Sequence, residues 1–205
     1  MINIKICGLK RIEDIKYVNK FKPEYIGFVF AKSRRQISYD MAASLKKSLS
    51  NDIKTVGVFV NHEIDDIISL MNEDIIDIAQ LHGDEEEDSI ITIKNKTNKK
   101  VIKAISVRSL EDILKWKYSK VDFLLLDNGS GGTGESFDWE VLDKLSTIEF
   151  NKPYFIAGGL NKENVKDVLK YKPYAVDISG GVETDGLKDE VKINEFINTV
   201  RTNRI

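Results

Sequence analysis

Eight times in 205 residues a short apolar run gives way to a segment with helical spacing, and few folds accommodate that alternation. The runs cover residues 2–6, 25–30, 55–60, 77–81, 101–105, 121–126, 154–157 and 175–178. The helical segments follow at 11–20, 39–49, 64–71, 86–94, 110–116, 139–145, 163–169 and 191–200. About 26 residues per unit is close to what a strand, a helix and two short loops need. The run Phe123-Leu124-Leu125-Leu126 is apolar at every position, as expected of a strand covered on both faces in a parallel sheet. Eight such units predict an α/β fold, a (β/α)8 barrel of the TIM type. An open, doubly wound sheet is the alternative. It usually has fewer strands and a glycine-rich turn after the first, which Cys7-Gly8-Leu9-Lys10 does not match. With three prolines, no low-complexity linker and no shift in composition, a single domain over residues 1–205 is expected.

Several function classes are disfavoured at once. A net charge of -2 with no dominant basic face gives no nucleic-acid footprint. No apolar run approaches the roughly 18 residues of a membrane span, and the chain enters a strand without a cationic, apolar leader, so a cytoplasmic protein is expected. The single cysteine excludes an intramolecular disulfide. The two histidines and the lone cysteine have no metal-ligand spacing, so no metal site is expected. Two charge runs, Asp84 to Asp88 and Lys94 to Lys100, flank the fourth helical segment with the signs its dipole favours, and both are expected to be solvated.

In a parallel barrel, chemistry gathers where the strands end. The residues at those ends are Cys7, Ser33-Arg34-Arg35, Asn61, His82, Asp127, Gly158-Gly159 and Ser179-Gly180-Gly181. Cys7 ends the first run, and Gly8 lets the backbone turn away from it. A lone cysteine is usually a small buried hydrophobe, so its position matters more than its type. Glycine pairs after both the seventh and the eighth strand bring backbone N–H groups close to an anion, at the usual phosphate site of such barrels. Asp127 follows three leucines, and partial desolvation would suit it to donating a proton near neutral pH. The glycine-rich stretch Asn128 to Gly134 is suited to closing over a ligand. An arginine after the second strand offers a two-pronged grip on a carboxylate. His82 is placed either to donate to a ligand or to pack, and His62, beside Asn61, looks like the start of a helix.

Taken together, the motifs resemble the phosphoribosylanthranilate isomerase family of tryptophan biosynthesis. They are Lys5-Ile6-Cys7-Gly8, Gly27-Phe28-Val29-Phe30, Ser33-Arg34-Arg35, Gly57-Val58-Phe59-Val60-Asn61, Gln80-Leu81-His82-Gly83 and Leu125-Leu126-Asp127. Further along come Gly131-Gly132-Thr133-Gly134 with Phe137-Asp138-Trp139, Gly158-Gly159-Leu160-Asn161 with Glu163-Asn164-Val165, and Val176-Asp177-Ile178-Ser179 with Gly181-Val182-Glu183. The resemblance implies a (β/α)8 barrel without metal or cofactor, monomeric or homodimeric, acting on a small phosphosugar. It implies an Amadori rearrangement of N-(5-phosphoribosyl)anthranilate with Asp127 as general acid and Cys7 as general base. It further implies that Arg35 holds the anthranilate carboxylate, and that Gly158, Gly159, Ser179, Gly180 and Gly181 hold the phosphate. Asn128 and Gly180 stand where hydroxyl residues are common, and Arg34 where proline is. The related sugar isomerase of histidine biosynthesis is expected to be longer, with aspartate at the first strand end. A non-catalytic phosphosugar-binding barrel would have lost the acid or the base, and both are present.

Overall fold

A strand with helices packed on one side and other strands' side chains on the other has no face left for water. Its alternating residues then divide between two interiors rather than between core and solvent. The computed structural model describes residues 2–127 and 139–203, and the chain takes this form. The elements alternate as β1 (Asn3–Cys7), α1 (Ile12–Phe21), β2 (Tyr25–Val29), α2 (Tyr39–Lys46), β3 (Lys54–Phe59), α3 (Ile64–Asn72), β4 (Ile78–Leu81) and α4 (Glu87–Thr97). They continue as β5 (Lys100–Ser106), α5 (Leu110–Leu114), β6 (Phe123–Asp127), α6 (Glu140–Ser146), β7 (Tyr154–Ile156), α7 (Val165–Leu169), β8 (Ala175–Ile178) and α8 (Glu190–Thr202). Neighbouring strands are parallel throughout, and β1 pairs with both β2 and β8, so the sheet closes on itself. Closure rules out the open-sheet alternative. A 3-10 turn (Gly180–Val182) and two antiparallel two-residue strands, β9 (Glu183–Thr184) and β10 (Leu187–Lys188), lie between β8 and α8, and the sequence reading did not anticipate them.

The two interiors are distinct. Ile4, Ile6, Phe28, Phe59, Leu124, Leu126 and Ile178 face the helices, against Ile15, Leu45, Ile67 and Phe196 among others. Tyr25, Val56, Ile102, Phe123, Leu125 and Phe155 fill the barrel itself. At the end opposite the mouth, Phe123 meets Phe155 edge-on at 5.6 Å between ring centroids. There the Tyr25 and Tyr174 hydroxyls share a 2.7 Å hydrogen bond. No helix of the described residues is long and apolar enough to cross a membrane.

One charge-run expectation fails. Asp84, Glu86 and Asp88 are exposed, but Glu85 is buried. Its carboxylate accepts from Lys103 Nζ (3.0 Å), from the Asn61 backbone N–H (2.7 Å) and from the Gly83 N–H (2.9 Å). Burial works against its charge, yet Lys103 and these N–H groups outweigh it and hold its pKa below the usual carboxylate value. The cause lies in β5. Lys103 is buried, with 3 % of its side chain exposed, so an acid from the adjoining loop neutralises it.

Candidate active site

Period-two alternation along β1 turns Lys5 and Cys7 into the barrel. Cys7 lies opposite Gly27 in register, and a Cβ on Gly27 would stand 2.6 Å from Cys7 Sγ. The glycine therefore makes the seat in which the thiol rests. Lys5 is wholly buried below it, with Nζ 2.9 Å from Asp177 Oδ2 on β8. Removing one partner of such a buried pair strands a charge, at a cost of about 3–5 kcal/mol. Burial pushes the Cys7 thiol up; Lys5 and Lys188 pull it back without cancelling the effect.

The same alternation corrects the picture of Asp127. Leu124 and Leu126 face the helices, so of the three preceding leucines only Leu125 shares the carboxyl's face. The desolvation expected from the leucine run comes instead from the barrel wall, which leaves the side chain 11 % exposed, toward the cavity. His82 Nε2 lies 3.4 Å from Asp127 Oδ2. On its other side, Gln80 Nε2 is 3.2 Å from His82 Nδ1. The ring thus bridges Gln80 and Asp127, and the tautomer with its N–H on Nε2 donates to the carboxylate.

The arginines after β2 have a partner that the sequence reading gave no role. Arg35 grips Glu183 with both prongs, Nε to Oε1 at 2.7 Å and Nη2 to Oε2 at 2.9 Å. Arg34 Nη2 adds a bond of 3.0 Å and buried Lys188 Nζ one of 2.7 Å. Burial opposes the Glu183 charge, but the Arg35 fork and Lys188 prevail and pull its pKa down to about 2. Three cations on one carboxylate leave a local excess of positive charge. Arg35 is nearly enclosed, with 11 % of its side chain exposed, whereas Arg34 is 60 % exposed.

The two glycine loops complete the rim. Gly158 and Gly159 take φ of 82° and 62°, and Ser179 Oγ donates to the Cys7 carbonyl at 2.9 Å. Cys7, Arg34, Arg35, Asn61, His82, Asp127, Gly158, Gly159, Ser179, Gly180 and Gly181 all line one cavity of about 1220 Å³. The Asn61 side chain accepts from the Asp84 N–H and ties two rim loops together, and His62 stands just before α3. The stretch Asn128 to Gly134 lies outside the described residues. The two glycines after Ser179 are not equivalent. A Cβ on Gly181 would meet the Leu160 carbonyl oxygen at 2.1 Å, while one on Gly180 finds nothing closer than Arg35 Nη2 at 3.4 Å. Gly181→Ala is therefore expected to destabilise the fold by about 1–3 kcal/mol, as overpacking does. Gly180→Ser, which restores the common hydroxyl, should stay within about 0.5 kcal/mol of the parent. Urea unfolding of the two variants checks the contrast, and equal losses would refute it.

The sequence reading missed Lys5, Gln80, Asp177, Glu183 and Lys188 as parts of this arrangement. For three of them the signal was available: Lys5, Gln80 and Asp177 are polar residues inside strands that have no solvent face.

Comparisons with known proteins agree with the geometry. A family model described as N-(5'phosphoribosyl)anthranilate (PRA) isomerase matches residues 4–199. The N-(5'-phosphoribosyl)anthranilate isomerase of Thermoanaerobacter pseudethanolicus is 47% identical over 206 residues, covering 98% of each chain. The crystal structure of the phosphoribosyl anthranilate isomerase of Thermus thermophilus superposes with a TM-score of 0.90 at 29% identity, covering 99% of this chain and 100% of that one. A phosphoribosyl anthranilate isomerase in complex with reduced 1-(o-carboxyphenylamino)-1-deoxyribulose 5-phosphate superposes with a TM-score of 0.85 at 31% identity, covering 98% and 100%. On the length of the family match and the identity to its relatives, the chain belongs to the N-(5'-phosphoribosyl)anthranilate isomerase family.

Proposed function

We propose that this isomerase converts N-(5'-phosphoribosyl)anthranilate to 1-(2-carboxyphenylamino)-1-deoxyribulose 5-phosphate in tryptophan biosynthesis, in the cytoplasm, with Asp127 as general acid and Cys7 as general base. One observation carries the reading. A carboxyl, Asp127, and a thiol, Cys7, stand on β6 and β1 at the same mouth, and the loops of β7 and β8 between them are rich in glycine. The reaction needs one acid and one base. Asp127 gives its proton to the ribose ring oxygen as the C1–O bond breaks, and the aniline nitrogen lone pair forms C1=N. The C4 hydroxyl is released by the same step. Cys7 then takes the C2 proton, the C–H electrons form C1=C2, and C1=N closes back onto nitrogen. The resulting enolamine tautomerises to the ketone. The His82 N–H facing Asp127 steadies the carboxylate left after the first transfer.

The ligand held by the relative of known structure carries a carboxylate and a phosphate at opposite ends. We assign the carboxylate to Arg35 and the phosphate to the backbone of Gly158, Gly159, Ser179, Gly180 and Gly181. The assay is loss of the substrate's fluorescence on adding purified protein. Rapid loss is expected, and binding without loss would replace the isomerase with a phosphosugar-binding barrel. In the same assay Arg35→Ala is expected to weaken substrate binding by about 2–4 kcal/mol, as when a buried charged contact is lost. Arg34→Ala, at an exposed position, should cost less than about 1 kcal/mol. The reverse order would move the carboxylate to Arg34.

A further inference from the structure

Lys5 is among the largest side chains in the protein with no exposure at all. A lysine in that place is either neutral or paired, and this one is paired with Asp177. Asp177 Oδ2 stands 2.9 Å from its Nζ, and Cys7 is the next side chain along the same inward strand face. Among the described residues Asp177 Oδ1 is buried without a hydrogen-bond partner, so no second donor draws this carboxylate away from the lysine. We propose that Lys5 is a positioning residue for the reaction: its ammonium is the counter-charge that lets Cys7 exist as a thiolate inside the barrel, and Asp177 holds it there. The inference rests on Cys7 being the base.

The other charges that face Cys7 do not fill this place. They are Asp177 from β8, Lys188 from β10 and Arg35 from the loop after β2. Lys188 and Arg35 are both held on Glu183, away from the thiol, and Asp177 acts against a thiolate. Gly27 and Ser179 complete the surroundings without charge. Among these groups Lys5 has the strongest downward pull on the thiol. Burial still leaves the thiol above its ordinary value, so the thiolate is the minor form at neutral pH and Lys5 sets how minor it is. When the thiolate takes the C2 proton, the charge on sulfur goes from minus one to zero. Lys5 and Asp177 remain an ion pair before and after, so no further proton has to move.

Cys7 is the only cysteine in the chain, so its chemistry reads out without background. The experiment is the pH dependence of Cys7 alkylation by iodoacetamide, which reacts with thiolate, followed by mass. The parent is compared with Lys5→Met and with the double variant Lys5→Met/Asp177→Asn, whose barrel interior is left neutral and folds where the single variant does not. The alkylation midpoint should rise by about 1–3 pH units in Lys5→Met, as when a close opposite charge is lost, and by a smaller amount in the double variant, which also loses the carboxylate that opposes the thiolate. The kcat/KM at pH 7 should fall at least about tenfold, and recover at high pH, with KM little changed. An unchanged midpoint in a variant with the parent's circular dichroism overturns the proposal. A midpoint that rises while the pH profile of kcat/KM stays put supports Lys5 as the partner of the thiolate and overturns Cys7 as the base.

Discussion

Asp127→Asn is expected to lower kcat by about 10²–10⁴-fold, the usual contribution of a positioned general acid, with substrate binding nearly intact. The amide has the carboxyl's shape, so the barrel wall and Leu125 below it need not move. It has no proton to give to the ring oxygen, and ring opening becomes the slow step. The His82 N–H needs an acceptor, so the amide introduced by this substitution will turn its oxygen, not its NH2, to that ring. Binding measured by quenching and turnover measured by fluorescence loss separate the two effects. Parental kcat in Asp127→Asn would remove Asp127 from the chemistry and leave it a residue of the wall.

How much of this was legible in the sequence depended on which side of a strand was being read. The eight units, their order and the residues at the strand ends are local properties, carried by apolar periodicity and by glycine, and the structure places them as the spacing predicts. The interior of the barrel was read less well. Ile2-Asn3-Ile4-Lys5-Ile6 looks like a strand with one apolar and one polar face. In a closed barrel the polar positions point inward, so Lys5 meets Asp177 from a strand 172 residues away. That pairing is decided by closure of β1 on β8, which no local pattern records. The same reasoning explains Asp127, two of whose three preceding leucines lie on the far side of its own strand.

Glu183 was legible as part of a motif and not as a part of the site. Its neighbours in sequence say nothing of Arg35, which arrives from the loop after β2, or of Lys188, which the β9–β10 hairpin turns inward. A single carboxylate thereby fixes the nearly enclosed Arg35 of the rim and joins the second loop to the eighth. Glu85 repeats the device on the other side of the mouth, joining the third and fourth loops to Lys103. In both cases the fold turns one carboxylate of a run or motif inward. Only the partner, distant in sequence, tells which member it is.

Cys7→Ser is the second large effect, and it should be distinguishable from the first. Serine keeps the size and the neighbours of the thiol, including the space left by Gly27. Its hydroxyl ionises far less readily than a thiol, and burial, which already pushes the thiol up, penalises an alkoxide in the same way. The base is lost while the contacts assigned to carboxylate and phosphate remain. The expected loss in kcat is again about 10²–10⁴-fold, with KM little altered. The two variants stop the reaction on opposite sides of ring opening, and deuterium at C2 of the substrate tells them apart. In Cys7→Ser, breaking the C2–H bond limits the residual rate, so the isotope effect grows. In Asp127→Asn ring opening limits it, so the isotope effect falls toward unity. Parental turnover in Cys7→Ser would show that another group takes the C2 proton. Asp177, whose Oδ1 has no hydrogen-bond partner among the described residues and which lines the same cavity, would then be the first to test.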